Sequence, residues 1–436
     1  MRALVLLIYR LIWLILGMVV PVILRWRARH KKEDLSRRQE RYGHASRPRP
    51  SSGHLYWLHG ASVGETVSSL VLAKAMINAN PDAHVLITSG TVTSAKMLEQ
   101  RIETLGLSAR ITHQYHPYDH PVWIKRFLDH WRPDLVVMME SEIWPNMVMM
   151  SNERRHPVAM ASAQISEKSL RYWAGRGHLL ARTMFPVFRR IITVDAIQEA
   201  RFDSLPTRPG TVLVGGSMKA AAPALTDNPE LRQQITAAAD GRLVVLMASS
   251  HDGEEKIFLD AMSAVNQSGG FMSVIAPRHI VRGAAIRQMV EAEGMTTGQH
   301  SRGEPPAPNQ QVFIADMMGE MGGLIRAADI IVLGGAFGNI GGHNPMEMAA
   351  LDKGVISGPH TFKNTAAFEL IDTHGGLITA STSSAVADAI TVLAASATLL
   401  DKHNHGAAKA YQVLADAAAA TAQVLMALTN DGGPQS

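Results

Sequence analysis

The chain opens on one long apolar run and then settles into short apolar runs that alternate with amphipathic ones. Between Ala3 and Leu24 there is a single charge, Arg10, among Leu, Ile, Val, Trp, Met and Tyr. About 20 such residues are enough to span a bilayer. Further along, Leu55–His59, His84–Thr88, Leu135–Met139, Val158–Ala161 and Ile191–Val194 are four- or five-residue apolar runs that predict buried strands. Glu65–Asn80 and Val92–Leu105 carry helical spacing between them. A second series begins after a polar, Pro-containing region near Ala222–Pro229. Its predicted strands are Leu243–Ala248, Met272–Ala276, Val312–Ile314 and Ile330–Leu333, and Thr296–Gln310 reads as a surface loop. Strand and helix alternating in this way predict parallel sheets covered by helices on both faces. The economical architecture is α/β, two consecutive doubly wound domains facing a cleft, followed by an Ala-rich helical tail over 384–428. The expected division is a membrane anchor (1–30), a first domain (31–222) and a second domain (223–436), with the terminal helices free to pack back on the first.

Composition narrows the function classes. The 436 residues are 46% hydrophobic and 18% charged, which describes a folded chain. A net charge of only +4 gives no chain-wide polycation for nucleic acid. With no cysteine, disulfides, thiolate metal sites and cysteine nucleophiles are excluded. Positive charge gathers instead just after the apolar start, at Arg25, Arg27, Arg29, Lys31 and Lys32, against Arg2 before it. That asymmetry places the body of the chain in the cytoplasm behind an N-terminal anchor. Arg10 and Pro21 leave open whether the anchor spans the bilayer or lies in its interface.

The chemistry-bearing clusters sit where strands end, which is where ligands bind in open α/β sheets. In the first series, His59-Gly60-Ala61-Ser62-Val63-Gly64-Glu65 joins a strand to a helix. Glu65 reads either as a first-turn carboxylate favoured by the helix dipole or as a general base. Glu140-Ser141-Glu142-Ile143-Trp144-Pro145-Asn146 ends another strand. Its two carboxylates either cap the next helix or shift a neighbouring carboxyl through like-charge proximity. In the second series the clusters are Ser249–Glu255, Ala276–His279, Asp316–Met321, Gly334–Glu347 and Gly358–Asn364. The glycine run Gly334–Gly342 leads to Pro345 and a predicted helix, an anion-ready arrangement if its N–H groups are exposed. It matches neither a dinucleotide fingerprint nor a P-loop. Arg278 is a candidate for bidentate phosphate contact. His251, His279, His343 and His360 lack metal-ligand spacing, so no metal and no cofactor are expected.

Taken together, these motifs resemble the Kdo (3-deoxy-D-manno-octulosonic acid) transferase family of lipopolysaccharide biosynthesis. The matching pieces are the anchor with Arg38-Gln39-Glu40-Arg41-Tyr42-Gly43, then Ser62-Val63-Gly64-Glu65 and Glu140–Asn146. In the second half they are Ser250–Glu255, Pro277-Arg278-His279, Met318-Gly319-Glu320-Met321, Gly341–Glu347 and Gly358–Phe362. The resemblance implies a GT-B fold and an inverting transfer of Kdo from CMP-Kdo to the lipid A precursor (lipid IVA) at the inner membrane. It implies Glu65 as general base, with Glu140 and Glu142 as supporting carboxylates. Ser62, Gly64, Trp144 and Asn146 fall on the acceptor side. Lys219, Ser250, His251, Glu254, Pro277, Arg278, His279, Met318, Gly319, Glu320, Gly341, Gly342, His343, Asn344 and Glu347 fall on the donor side. Of these, Arg278, Lys219 and the N–H groups around Gly341 and Gly342 are expected near the CMP phosphate, and Glu347 near the ribose. The implied partners are CMP-Kdo, the lipid A precursor and inner-membrane lipids.

The chain departs from the family pattern at Ser162, Gln164 and Lys168, where the family has Asn, Arg and Arg, and at Ser217 in place of Asn. Losing planar guanidinium donors at 164 and 168 bears on the acceptor and on the number of Kdo units added. A GT-B enzyme with another nucleotide sugar or lipid-linked acceptor, or a non-catalytic scaffold of that fold, stays open on the sequence alone.

Overall fold

The computed structural model describes residues 2–218, 224–266 and 269–430. It divides into two compact units. The first comprises residues up to 221 together with those from 414 onward, and the second comprises 222–413. Residues before 30 therefore group with the first unit, and the end of the C-terminal helix Ala397–Asn430 does too.

The first unit is built on a seven-stranded parallel sheet. Its strands are β1 (Leu55–His59), β2 (His84–Ser89), β3 (Ile111–Tyr115), β4 (Leu135–Met139), β5 (Val158–Ala163), β6 (Arg190–Thr193) and β7 (Val212–Val214), in the order 3-2-1-4-5-6-7. β1, β4 and β5 are buried along their whole length, as expected where helices cover both faces. One core surrounds Tyr56, Leu58, Leu70 and Val137, and it takes in Ala418, Ala422 and Leu425 of the C-terminal helix. The other surrounds Trp57, Phe127, Trp131, Met138 and Phe185. The C-terminal helix is long and apolar enough to cross a membrane by length and composition. Those three residues show it in use as a core helix of the first unit.

The second unit has β8 (Leu243–Ser250), β9 (Phe271–Pro277), β10 (Thr297–Gln299), β11 (Val312–Ile314), β12 (Ile330–Leu333), β13 (Val355–Ser357) and β14 (Leu377–Thr379). All pair in parallel, in the order 10-11-9-8-12-13-14. Strand order reverses between β1 and β4 in the first sheet and between β8 and β12 in the second. These are the switch points where such sheets bind ligands. The expected loop 296–310 holds β10 and a short 3-10 turn at His300–Arg302. Its Thr and Gln residues pair with β11 through the backbone, a bond that hydrophobic patterning does not register.

The apolar start is a bent pair of helices, α1 (Arg2–Leu16) and α2 (Val20–Arg29), which meet at 55°. The bend falls at Gly17, where an added Cβ would lie 2.7 Å from the His120 ring. One face of α1 docks on the first unit. Tyr9 donates to Asp119 at 2.8 Å, and Arg10 pairs with Glu153 at 2.7 Å. The opposite face exposes Leu7, Ile8, Leu11, Ile12 and Ile15, the bend exposes Met18, and α2 exposes Val22, Ile23 and Trp26.

Candidate active site

In the first unit the switch point gathers carboxylates. Ser62 caps α3 (Val63–Ala79): its hydroxyl accepts from Glu65 N, and Ser62 N donates to Glu65 Oε2 at 2.6 Å. This reciprocal capping box uses one carboxylate oxygen. Among the described residues the carboxylate is held by Ser62 alone. Burial pushes the Glu65 carboxyl above the usual range. The Ser62 N–H and hydroxyl oppose that, and the Glu142 and Glu140 charges reinforce it. Glu140 follows β4 with φ 51°, a left-handed conformation that a non-glycine residue adopts at a cost of order 1 kcal/mol or more. Its carboxylate accepts from Ser68 at 3.3 Å and from Gln164 at 2.7 Å. The Gln164 amide thus meets Glu140 as a neutral donor. Ser162, at a bulge in β5, also has a left-handed φ of 48°, and its hydroxyl accepts from Met218 N.

Glu142 accepts from the Trp144 indole at 2.6 Å and lies 3.3 Å from His59 Nε2, at ion-pair distance but outside hydrogen-bond alignment. Burial alone would raise the Glu142 carboxyl; His59 and Trp144 outweigh it and hold the group below the ordinary range. His59 is fully buried, and its Nδ1 bonds the Thr88 hydroxyl. The arrangement keeps charge on Glu142 beside a Glu65 whose proton is held more tightly. Two carboxyls driven apart in this way are what acid–base chemistry requires.

In the second unit the glycine run after β12 folds back on itself. Gly342 N donates to Gly335 O at 2.7 Å and His343 N lies 3.4 Å from Gly334 O. Buried Glu254, just after β8, organises this loop across the switch point. It accepts from Gly335 N, Phe337 N and His251 N at 2.8 to 3.1 Å. Gly334 can have no side chain, since a Cβ would sit 2.6 Å from Ser249 O and 2.8 Å from Glu254 Oε2. Ser250 donates to Glu255, which Arg282 also grips.

Above this framework lie His251, His279, His343 and Arg278. His251 Nε2 and His343 Nε2 are 2.8 Å apart with rings 9° from parallel. One nitrogen must donate and the other accept, so at least one ring is neutral. Burial, then the neighbouring His251, Arg278 and Lys363, lower His343 to about 4. Arg278 and His279 are exposed. A guanidinium beside neutral imidazoles suits an anionic, phosphate-like group. A separate cavity of about 450 Å³ lies at the ends of β10 and β11. Asn228, Gln234, His300, Asp316, Met318 and Glu320 are among its lining residues. Among the described residues no group of three His, Asp or Glu side chains is arranged to hold a metal.

Comparison with known proteins decides the family. The model of the 3-deoxy-D-manno-octulosonic-acid transferases (kdotransferases) matches residues 36–222. The probable mitochondrial 3-deoxy-D-manno-octulosonic acid transferase of Arabidopsis thaliana is 30% identical over 363 residues, 81% of this chain and 80% of that protein. The 3-deoxy-D-manno-octulosonic acid transferase of Haemophilus influenzae is 31% identical and covers 83% of each chain. This chain belongs to the Kdo transferase family. It is a glycosyltransferase, and its fold is of the GT-B class. The solved UDP-GlcNAc 2-epimerase of Neisseria meningitidis, bound to UDP-GlcNAc, shares that fold at 15% identity. Its TM-score is 0.55 over 86% of this chain and all of that one.

Within this transferase the expected site residues separate into those that converge and those that serve the framework. Ser62, Glu65, Glu140, Glu142 and Trp144 converge at the first switch point, with Gly64 in the first turn of α3. Asn146 is buried, and its amide is committed to Asp119 O and Arg10. His251, Arg278, His279 and His343 converge at the second. Ser250, Glu254 and Asn344, whose side chain accepts from Met346 N, hold backbone and neighbouring side chains in place. Pro277 ends β9, and Glu347 lies in the short helix after the glycine run. Met318, Gly319 and Glu320 follow β11, with Met318 and Glu320 at the separate cavity and Glu320 bonded to Asn228.

One expectation is corrected. The Gly342 N–H does not face an anion: Gly341 and Gly342 are buried, and the Gly342 N–H is consumed by Gly335 O. The helix that follows is only Met346–Ala349, too short for a substantial dipole. Lys219 lies outside the described residues. Patterning missed His116, Asp119 and Arg41. Each sits in a polar stretch where no apolar period marks it, and Arg41 showed only as part of the Arg-Gln-Glu-Arg-Tyr-Gly segment.

Proposed function

We propose that the enzyme transfers Kdo from CMP-Kdo to the lipid A precursor, lipid IVA, with inversion, at the cytoplasmic face of the inner membrane. Glu65 is the base that takes the acceptor hydroxyl proton. The observation carrying this reading is the Glu65 carboxyl itself. It is buried, raised by its surroundings and anchored among the described residues by Ser62 alone. Arg278 with His251, His279 and His343 offers the second unit's donors to the leaving CMP phosphate. No metal or cofactor is invoked. The relatives named above supply Kdo as the transferred group. The bent, one-sided helix pair supports an anchor lying in the membrane interface, its exposed apolar face among inner-membrane lipids.

The test is incubation of the full chain with lipid IVA and a CMP-Kdo-generating system, followed by mass spectrometry of the lipid. Kdo-bearing lipid is expected. Tight binding of UDP and none of CMP would sink the donor assignment. Glu65→Gln isolates the base, because Gln at this position still accepts from Ser62 N and preserves the capping box. The variant should fold, bind donor and transfer nothing. For the anchor, the chain has no native cysteine, so single cysteines between residues 4 and 26 report exposure cleanly. Labelling of both ends from the cytoplasmic side supports the interfacial placement, and periplasmic labelling of the N-terminal end rejects it.

A further inference from the structure

We infer that Arg41 is a positioning residue for the loop that carries Glu65, and that it ties this loop to the N-terminal helix pair. The inference rests on the reading of Glu65 as base. Arg41 is 1% exposed, and its guanidinium is fully engaged. Nε and Nη2 grip Glu33 at 3.0 and 3.3 Å, and Nη2 also donates to Gly90 O at 2.8 Å. Nη1 reaches Ser89 O and His116 O at 3.5 and 3.4 Å. Tyr115 lies under the guanidinium with 4.5 Å to the ring centre.

Each acceptor leads somewhere. Glu33 also takes Arg27 of α2 at 3.2 Å, so the grip reaches the helix pair. Gly90 N donates to Ala61 O at 3.0 Å, and Gly60 N donates to Thr88 O at 3.1 Å. The segment Gly60–Ser62, which leads directly into the Glu65 capping box, therefore rests on the end of β2, and Arg41 holds the end of β2. A planar fork of donors can satisfy a carboxylate and three carbonyls at once. An ammonium cannot, which makes Lys a discriminating replacement. Gly90 offers an independent perturbation of the same link. A Cβ there would lie 2.9 Å from Ala61 O and 3.2 Å from Ala61 Cβ, pushing the loop without touching Arg41.

The experiment compares Arg41→Lys, Gly90→Ala and Glu65→Gln in the full-length enzyme, following kcat, the KM for CMP-Kdo, the pH–rate profile and the melting temperature. Displacing the base by a fraction of an ångström to an ångström should lower kcat by roughly 10- to 100-fold, with the donor KM unchanged. Opening the loop to water relieves the burial that raises Glu65, so the acidic limb should move to lower pH. A merely structural role would lower the melting temperature and leave that limb in place. If Arg41→Lys fails to fold, Gly90→Ala decides. A folded Gly90→Ala enzyme with wild-type kcat and an unmoved limb overturns the inference, while Glu65→Gln stays inactive. An active Glu65→Gln enzyme removes the base reading and this inference with it.

Discussion

Replacing Glu254 by Gln should loosen the glycine loop of the second unit while leaving every ligand-facing side chain in place. The wild-type carboxylate receives three backbone N–H groups, those of Gly335, Phe337 and His251. Hydrogen bonds to a charged group contribute about 1.5–3 kcal/mol each, against about 0.5–1.5 for neutral ones. A glutamine oxygen in the Oε1 position keeps Gly335 and Phe337 at the neutral strength. Its NH2 then faces the His251 N–H, and the Gly335 N–H that also reached Oε2, donor against donor, and orphans the former for a further 1–3 kcal/mol or so. Relief from burying a charge offsets part of this loss. The balance is a destabilisation of about 2–4 kcal/mol. For a unit of this size that lowers the melting temperature by about 5–15 °C. Calorimetry measures the shift, and hydrogen exchange of peptides spanning 330–345 localises it. If Glu254 instead contacts the donor directly, the variant loses CMP affinity at unchanged melting temperature and unchanged exchange. That result would refute the framework assignment.

Three further outcomes are expected. Because burial raises the Glu65 carboxyl and the base acts deprotonated, kcat/KM should fall with pH through a pKa above the ordinary Glu range; a limb near 4 contradicts this. Burial holds His343 neutral down to about 4, below the ordinary histidine value of about 6.5. The unfolded chain therefore binds its proton first. Its contribution to stability is present above about 6.5 and is lost as pH falls from there towards 4. His343→Gln should flatten that part of the melting-temperature profile, and an unchanged slope counts against the burial argument. Gly17→Ala places a Cβ 2.7 Å from His120 Cδ2 and should cost about 1–3 kcal/mol of the docking of α1. Faster proteolysis within residues 2–30 reads this out, and wild-type resistance would show that His120 moves aside freely.

Much of the fold was legible because parallel strands buried on both faces leave unbroken apolar runs. β1, β4, β11 and β12 begin and end where hydrophobicity does. β3, with the sequence Ile-Thr-His-Gln-Tyr, escaped that signal. Its polar side chains are buried through partners supplied by distant segments: His113 by Ser89 and Glu99, and Gln114 by His44 and Trp131. Arg41 was hidden for the same reason, since a buried cation is recognisable only once Glu33 and three carbonyls are seen around it. Site residues were legible as clusters at strand ends, but their division into framework and chemistry was not. Nothing in the local pattern tells Glu254, saturated by N–H groups, from Glu65, held by Ser62 alone.

That contrast explains the division of chemistry between the two sheets. Both place a carboxylate just past the first strand of the switch point, and both use it to hold backbone. In the second unit the loop it faces is glycine-rich, so three N–H groups reach Glu254 and leave it no capacity for a proton acceptor's work. In the first unit the facing segment is Glu140–Trp144, which offers carboxylates. Ser62 alone satisfies Glu65, burial raises its proton affinity, and the Glu142 and Glu140 charges add to that. On the proposed reading of Glu65 as base, the same position in the same topology becomes a structural clamp or a base according to what the opposite strand end presents. Exchanging the environment, by Glu142→Gln, should therefore lower the Glu65 pKa and shift the acidic limb of transfer to lower pH. An unmoved limb would show that the Glu142 charge does not raise the carboxyl.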